Sequence, residues 1–179
     1  MKYELKNYLN PIFIETGTFR GDGVELAKRA GFKKIISIEI SENFCKEAKQ
    51  RFERDKDIFI IQGDSSVVLW PAIKDIKERI TFMLDAHNLL FDEKVPTDKG
   101  FEWWPLVKEL QIIAEHPRKD HTIIIDDVRL FELHFGTNIA QVKSLLLDIN
   151  PNYQFRFMDN DFGNMIMENN TLVAIEKDC

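Results

Sequence analysis

Carboxylate side chains end successive apolar segments of this sequence, in a pattern suited to ligand binding. The first such segment, Ile12–Glu15, ends on an acid and leads into a turn with three glycines within seven residues, Gly17 to Gly23. Glycine allows positive φ and close approach of backbone to a ligand, and a helix beginning there directs free N–H groups at it. Glu39 ends the next apolar segment, 22 residues after Gly17. Nucleoside-binding α/β folds place a ribose-binding carboxylate at about this spacing, so the sequence predicts a nucleoside-containing cofactor.

The same pattern of an apolar segment followed by an acid recurs along the chain. The acids at or just past predicted strand ends are Glu15, Glu39, Asp64, Asp85, Asp126 and Asp127. In an open parallel sheet, ligands bind in the crevice outside the carboxyl ends of the strands. We therefore expect these acids to converge on one rim of the molecule.

Short apolar runs alternate with amphipathic segments, which predicts βαβ units and a mostly parallel sheet. The predicted strands are Ile12–Glu15, Lys34–Glu39, Ile58–Ile61, Ile80–Leu84, Thr122–Ile125 and Tyr153–Met158. The last two segments, Met165–Glu168 and Thr171–Ile175, are expected to form a terminal hairpin or paired strands, with Asn169-Asn170 between them. The predicted helices are Val24–Ala30, a helix capped by Ser41, Ser66–Lys77 with Pro71 inside it, Phe101–His116, and a helix from Asn138 to Ile149. Residues 1–179 are expected to form a single domain, with a lid-like insertion at about 86–100.

Length and charge exclude several classes of protein. A chain of 179 residues fits one domain. Its net charge of −6 argues against a nucleic-acid partner, and its apolar runs are too short to predict a membrane partner. Cys45 and Cys179 lack any paired spacing and are expected to be free thiols, which favours a cytoplasmic location. The sequence leaves open whether the chain forms a homo-oligomer.

Four short motifs in order resemble a class I S-adenosylmethionine (SAM)-dependent methyltransferase over almost the entire chain. The motifs are Glu15-Thr-Gly-Thr-Phe-Arg-Gly21, Ser37-Ile-Glu39, Gly63-Asp64-Ser65 and Leu84-Asp85-Ala-His87. The resemblance implies an α/β fold, Rossmann-like and doubly wound, with a seven-stranded, mostly parallel sheet and an antiparallel C-terminal strand.

The resemblance also implies cofactor-binding roles for individual residues. The turn would hold the methionine portion of SAM through Glu15, Thr16, Gly17, Thr18, Phe19, Arg20 and Gly21. Glu39 would accept hydrogen bonds from the ribose hydroxyls, Asp64 and Ser65 would contact the adenine, and Asp85 would reach the methionine end. An acidic site suits a ligand that carries a sulfonium and an ammonium group, whereas a pyrophosphate cofactor would favour fewer acids.

Asp85, Asp126 and Asp127 form a second predicted cluster, because they end neighbouring strands. Three adjacent carboxylates repel one another unless a cation joins them, and an all-oxygen site suits Mg²⁺. The arrangement is similar to that of the metal-dependent macrocin O-methyltransferase type, in which the metal chelates neighbouring sugar hydroxyls. That type commonly has a second acid two residues after the first, where this chain has His87.

His87 is the predicted general base, since a neutral imidazole suits removal of a hydroxyl proton near neutral pH. Asp85 is assigned to the catalytic set with it, and His134 is the reserve base. The predicted function is Mg²⁺-assisted O-methylation of a small polyhydroxylated acceptor, a sugar or glycoside. Three alternatives remain: a methyltransferase of phenolic or other small acceptors, a nicotinamide-dependent oxidoreductase, and a non-catalytic SAM-binding module.

Overall fold

A computed structural model describes residues 5–87, 104–131, 137–162 and 165–176. The strands are β1 (Ile12–Thr16), β2 (Lys34–Glu39), β3 (Ile58–Gln62), β4 (Ile80–Leu84), β5 (Thr122–Ile125), β6 (Tyr153–Phe162) and β7 (Met165–Glu176). The helices are α1 (Asp22–Ala30), α2 (Glu42–Arg51), α3 (Ser65–Ile73), α4 (Leu106–Glu115) and α5 (Ile139–Ile149). Short 3₁₀ helices occur at Leu5–Tyr8 and Val128–Leu130.

The strands form one seven-stranded sheet in the order β3-β2-β1-β4-β5-β7-β6. Strands β1 to β5 are parallel, while β7 runs antiparallel to both β5 and β6. The order reverses at β1, which lies between β2 and β4. The predicted Rossmann-like fold with an antiparallel C-terminal strand is therefore confirmed.

The central strands are mostly apolar because both faces of the sheet are covered. In β1, Ile12 and Ile14 pack into the larger core with residues of α3, α4 and α5. Phe13 points to the opposite face and joins a second core with Val24 and Ala27 of α1. Alternate side chains of a strand point to opposite faces, so a continuous apolar run is what a doubly wound sheet requires.

Local signals placed the starts of two helices correctly. Ser41 caps α2 by accepting a hydrogen bond from the Phe44 amide, and Asn138 forms a capping box with Gln141 at the start of α5. Pro71 lies inside α3, which ends at Ile73, a few residues before the end that the sequence pattern predicted.

The C-terminal hairpin differs in detail from the prediction. The Asn169-Asn170 pair does not interrupt the strand, because β7 continues from Met165 to Glu176. Asn169 has φ of 52°, and its amide donates to Asp159 Oδ1 at 2.9 Å, where the register with β6 shifts. An asparagine tolerates this left-handed conformation, so the pair marks a strand irregularity instead of a turn.

Some predictions concern residues beyond the described ranges. The proposed lid at 86–100 is described only up to His87, and His134 and Cys179 lie outside the described residues. None of the helices that are described is both long and apolar enough to cross a membrane.

Candidate functional site

The predicted acidic residues follow strands whose carboxyl ends lie along one edge of the sheet. Thr16 at the end of β1 pairs with Ile38 of β2 and Leu84 of β4, and Leu84 pairs in turn with Ile125 of β5. The switch point of the sheet, where such folds bind their ligands, therefore lies between the ends of β1 and β4. The Gly17 turn follows β1 there, and Asp85 follows β4.

The glycine-rich turn packs directly against the end of β4. Gly17 has φ of +87°, and a Cβ built on it would lie 2.5 Å from the Asp85 carbonyl oxygen. Its amide donates to the Ile38 carbonyl at 2.9 Å, which ties the turn to β2. Gly21, with φ of +82°, is the N-cap of α1. The turn thus needs glycine at residue 17 both for its backbone conformation and for its contact with β4.

Glu15 lies beneath the first turn of α1 and is only 3% exposed. A Cβ on Gly23 would lie 1.7 Å from Glu15 Oε1, so the glycine makes room for the carboxyl group. The Ser37 hydroxyl donates to Glu15 Oε2 at 2.6 Å and lies 2.6 Å from the Thr18 hydroxyl. Burial raises the pKa of Glu15 to about 8, against the effect of the Ser37 hydrogen bond and with smaller contributions from Glu39 and Asp22.

We expect Glu15→Gln to stabilise the ligand-free protein at alkaline pH. Because the folded-state pKa of Glu15, about 8, exceeds its ordinary value of 4.5, its contribution is complete below pH 4.5 and is lost as pH rises through the folded pKa. The advantage of the variant in free energy of unfolding should grow by up to about 1.4 kcal/mol per pH unit within that window. Urea unfolding at several pH values measures it.

The exposed Glu47→Gln substitution on α2 is the matched control, and its unfolding curves should follow those of the wild type at every pH. A constant difference between Glu15→Gln and the wild type across the window would contradict the assigned protonation of Glu15.

Glu39 is held at the end of β2 by two backbone amides. The Phe19 amide donates to Oε2 at 2.7 Å and the Ser41 amide donates to Oε1 at 2.8 Å. Each carboxylate oxygen keeps capacity to accept a further hydrogen bond. Phe19 has φ of 48°, and its partly exposed ring meets the edge of Phe44 with centroids 4.5 Å apart. Glu39 is therefore oriented in advance beside an aromatic surface.

Asp64 and Ser65 lie at the start of α3. Asp64 caps the helix by accepting from the Ser66 amide at 2.8 Å and from the Ser66 hydroxyl at 2.7 Å. It remains exposed, whereas Ser65 is buried. Arg20 is also exposed, and its guanidinium lies 5.2 Å from the Phe19 ring centroid. The helix-capping role of Asp64 is thus established by geometry, and contact with a ligand stays a prediction.

Asp85, His87 and Asp127 form a compact cluster in which one ligand atom from each lies within 4.8 Å of the others. His87 Nε2 lies 3.0 Å from Asp127 Oδ2 and 3.5 Å from Asp85 Oδ1. Burial raises the pKa of Asp85 well above its usual range, and the nearby carboxylates of Asp126 and Asp127 raise it further. A cation at this position would relieve that repulsion.

Asp127 is supported by several polar contacts. Asn170 Nδ2 donates to Asp127 Oδ1 at 3.0 Å, and Arg129 Nη2 lies 3.4 Å from the same oxygen. Burial opposes ionisation of Asp127, but the hydrogen bonds from His87 and Asn170 and the charge of Arg129 outweigh it and lower the pKa of this carboxyl. Asp127 also has φ of 53°, so its carboxylate is held ionised on a constrained backbone.

Asp126 is directed differently from Asp127. Its Oδ1 accepts a hydrogen bond from the Thr171 hydroxyl of β7 at 2.8 Å, and the residue is buried. The three-residue cluster therefore contains His87 where the predicted metal set of Asp85, Asp126 and Asp127 has Asp126. Asp126 remains near enough to influence the pKa of Asp85.

His116 and His121 lie at the other edge of the sheet and are both fully buried. The Ile80 amide donates to His121 Nδ1 at 3.1 Å, which leaves His121 Nε2 to donate to His116 Nδ1 at 3.0 Å. His116 Nε2 then donates to the Ile76 carbonyl at 3.1 Å. Burial lowers the pKa of His121 to about 3, and His116 lowers it further. His121 is thus neutral, and both histidines have a structural role.

Two residues of the site were missed in the sequence. Asn170 lies at the predicted connection between the last two strand segments, and its side chain donates a hydrogen bond to Asp127. Glu109 lies on α4, where its position among Leu106, Leu110 and Ile113 would ordinarily hold an apolar residue. An acid on the apolar face of a predicted helix is a signal that could have drawn attention to Glu109.

Two observations indicate that the residues of this site could hold the implied cofactor and a divalent metal ion. The Gly17 turn brings backbone close to the end of β4, next to a Glu39 carboxylate that two amides hold in place. Beside the acidic cluster, Asn170 Oδ1 is buried and has no hydrogen-bonding partner among the described residues. Two carboxylates and an imidazole are suitable donors for a divalent metal ion.

Comparisons with known proteins support the fold. A scan against protein-family models finds no match, and no curated protein matches the sequence. Among solved structures, an O-methyltransferase from Bacillus cereus in complex with S-adenosylhomocysteine (SAH) superposes with a TM-score of 0.66 at 16% identity, covering 97% of this chain and 77% of its own.

Two further structures show how widely the fold is shared. SAH-bound methyltransferase PaMTH1 from Podospora anserina matches with a TM-score of 0.61 at 11% identity, covering 97% of this chain and 75% of its own. An rRNA methylase from Streptococcus thermophilus matches with a TM-score of 0.55 at 16% identity, covering 97% and 92%. The chain therefore has the fold of class I SAM-dependent methyltransferases. These identities establish the fold alone, and the macrocin subtype remains a prediction.

Proposed function

We propose that this chain is a SAM-dependent O-methyltransferase that acts on a small hydroxylated acceptor with the help of a divalent metal ion. The observation that carries the proposal is the contact between the glycine turn and the end of β4. Gly17 lies against the Asp85 backbone, while the Asp85 side chain belongs to the cluster with His87 and Asp127. The proposed cofactor site and the acid–base cluster would thus adjoin each other, as methyl transfer to oxygen requires.

Cofactor binding is assigned to the rim formed by β1, β2 and the start of α3. SAM supplies an electrophilic methyl group on a cationic sulfur. Glu39 would accept hydrogen bonds from the ribose hydroxyls, because two amides already hold its carboxylate in place. The acids along this rim favour a cationic ligand, and Glu15 beneath the turn adds to that preference when it is ionised.

Asp85 and Asp127 are the proposed metal ligands. A bound divalent ion would act as a Lewis acid that lowers the pKa of a coordinated acceptor hydroxyl. His87 lies between the two carboxylates and is proposed as the base that takes the hydroxyl proton. Mg²⁺ suits a set completed by Asp126, whereas a metal with greater affinity for imidazole suits a set completed by His87.

The acceptor is proposed to be a small molecule with neighbouring hydroxyl groups, a sugar or glycoside in the first place and a catechol-like phenol in the second. Either can chelate a metal through two oxygens. The net charge of −6 supports a small acceptor over a nucleic acid, although one protein of similar fold is an rRNA methylase.

The test combines binding and turnover on the purified chain. Calorimetry with SAM, SAH and NAD should show binding of the first two and none of the third. Mass spectrometry should then detect methylated product from a panel of sugars, glycosides and catechols with Mg²⁺ or Mn²⁺, and none with EDTA. Binding of NAD without SAM would indicate an oxidoreductase. Binding of SAM without transfer to any acceptor would favour a non-catalytic module.

A further inference from the structure

Glu109 is a buried acid that the proposed function has not yet used. It lies in the first turn of α4 and is 1% exposed. Its Oε1 has no hydrogen-bonding partner within the described part of the chain. An unsatisfied buried polar atom destabilises a fold by about 1–3 kcal/mol, so this carboxyl group is not explained by stability.

The surroundings of Glu109 belong to the proposed cofactor crevice. The side chains of Ser65 at the start of α3 and of Thr16 at the end of β1 lie beside the Glu109 carboxyl, and both oppose the larger effect of burial on its pKa. Thr16 Oγ1 is buried too, and it makes no well-formed hydrogen bond within the described residues. The charge of Asp64 at the start of α3 raises the pKa of Glu109. Glu109 in turn raises the pKa of Asp85 at the end of β4.

Glu109 therefore lies beside the end of β1 and the start of α3, which border the proposed cofactor site. A carboxylate there would add negative charge on the side of the site that is to hold the sulfonium of SAM. SAH carries a neutral sulfide at the same position, so the charge distinguishes the substrate cofactor from its product. The two backbone elements that would touch the ligand, at Thr16 and Ser65, are also the ones that contact Glu109.

We propose that Glu109 is a positioning and specificity residue of the cofactor site, which acts through Thr16 and Ser65 and favours cationic SAM over neutral SAH. The inference rests on the proposed function, since it requires that SAM binds in this crevice. It concerns only the ligand's charge and is independent of the metal and of the acceptor.

The test is the ratio of the SAH and SAM dissociation constants in Glu109→Gln, measured by calorimetry at pH values below and above neutrality. Burial raises the pKa of Glu109 to about 7, so the wild type should prefer SAM more strongly at high pH. Glu109→Gln should weaken SAM binding by about tenfold at alkaline pH, as expected for a coupling of one pKa unit. SAH binding should change much less, and the pH dependence of the ratio should flatten.

Two further variants separate charge from shape. Glu109→Asp keeps the charge and should retain much of the preference for SAM, while the exposed Glu115→Gln on the same helix should behave as the wild type. Because the carboxyl is partly protonated near neutral pH, glutamine resembles it closely and the variant should fold, as circular dichroism would verify.

Equal weakening of SAM and SAH in Glu109→Gln would reveal a merely structural role and overturn the inference. An unchanged ratio would do the same. If the wild type itself bound neither ligand, the proposed function would fail first, and the wild-type measurement alone would reveal it.

Discussion

Asp127→Ala is expected to reduce methyl transfer on the order of a thousandfold, because a metal ion supplies several kcal/mol of transition-state stabilisation and about 1.4 kcal/mol corresponds to tenfold in rate. The Asp127 carboxylate is kept ionised by His87, Asn170 and Arg129, so its removal leaves the candidate metal centre without its most strongly ionised ligand. SAM affinity should stay within about tenfold of the wild type, a change of no more than 1.4 kcal/mol, since Asp127 lies after β5 and away from Glu39.

Two measurements are required for this variant: calorimetry with SAM, and Mn²⁺ binding followed by electron paramagnetic resonance. Mn²⁺ affinity should fall together with turnover. The exposed Asp148→Ala on α5 is the matched control and should change neither quantity. Loss of SAM binding in both Asp85→Ala and Asp127→Ala would show that these carboxylates hold the cofactor and would remove the metal assignment.

Asp126→Ala, beside it in the chain, gives a more specific comparison. Asp126 accepts a hydrogen bond from Thr171, whereas Asp127 faces His87. A small effect of Asp126→Ala on Mn²⁺ affinity would favour a set of Asp85, His87 and Asp127. An effect as large as that of Asp127→Ala would favour the set of three aspartates that the sequence predicts.

Gly17→Ala is expected to damage cofactor binding and turnover together. The added Cβ would lie 2.5 Å from the Asp85 carbonyl oxygen and 2.9 Å from its carbonyl carbon, so either the turn or β4 must move. A displacement of about 1 Å in a catalytic arrangement can reduce turnover by about 100-fold. SAM affinity from calorimetry and the initial rate of methyl transfer are the two quantities to measure.

Gly31→Ala is the control, because it tests the strain of a positive φ without the steric clash that Gly17→Ala would add. Gly31 has φ of +102°, but a Cβ there meets nothing within 4 Å. It should lower the free energy of unfolding by about 1–2 kcal/mol through strain alone and leave SAM binding near the wild-type value. Equal SAM affinity in the two variants would contradict the role assigned to the contact between Gly17 and Asp85.

The fold was predictable because its signals are local and repeated. Apolar runs with helical segments between them predict a doubly wound sheet, and the caps at Ser41 and Asn138 were readable from single residues. Side chains that immediately follow parallel strands must lie near one edge of the sheet. The approximate positions of Glu39, Asp64 and Asp85 therefore follow from strand order without knowledge of any contact.

The contacts within the site were not predictable in the same way. Asp126 and Asp127 are neighbours in sequence, yet one bonds to Thr171 and the other to His87 and Asn170. That division depends on the φ of 53° at Asp127 and on the register of β7, which the sequence near residue 126 does not encode.

The sequence by itself determined the strand and helix pattern, the glycine turn and the acids at strand ends, because each depends on residues close together in the chain. Only the tertiary structure revealed that Glu15 is buried under Gly23, that Asn170 supports Asp127 and that Glu109 lies beside Thr16 and Ser65. These contacts join residues far apart in the chain. Their geometry is set by how helices and strands pack, and no local pattern of residue types specifies it.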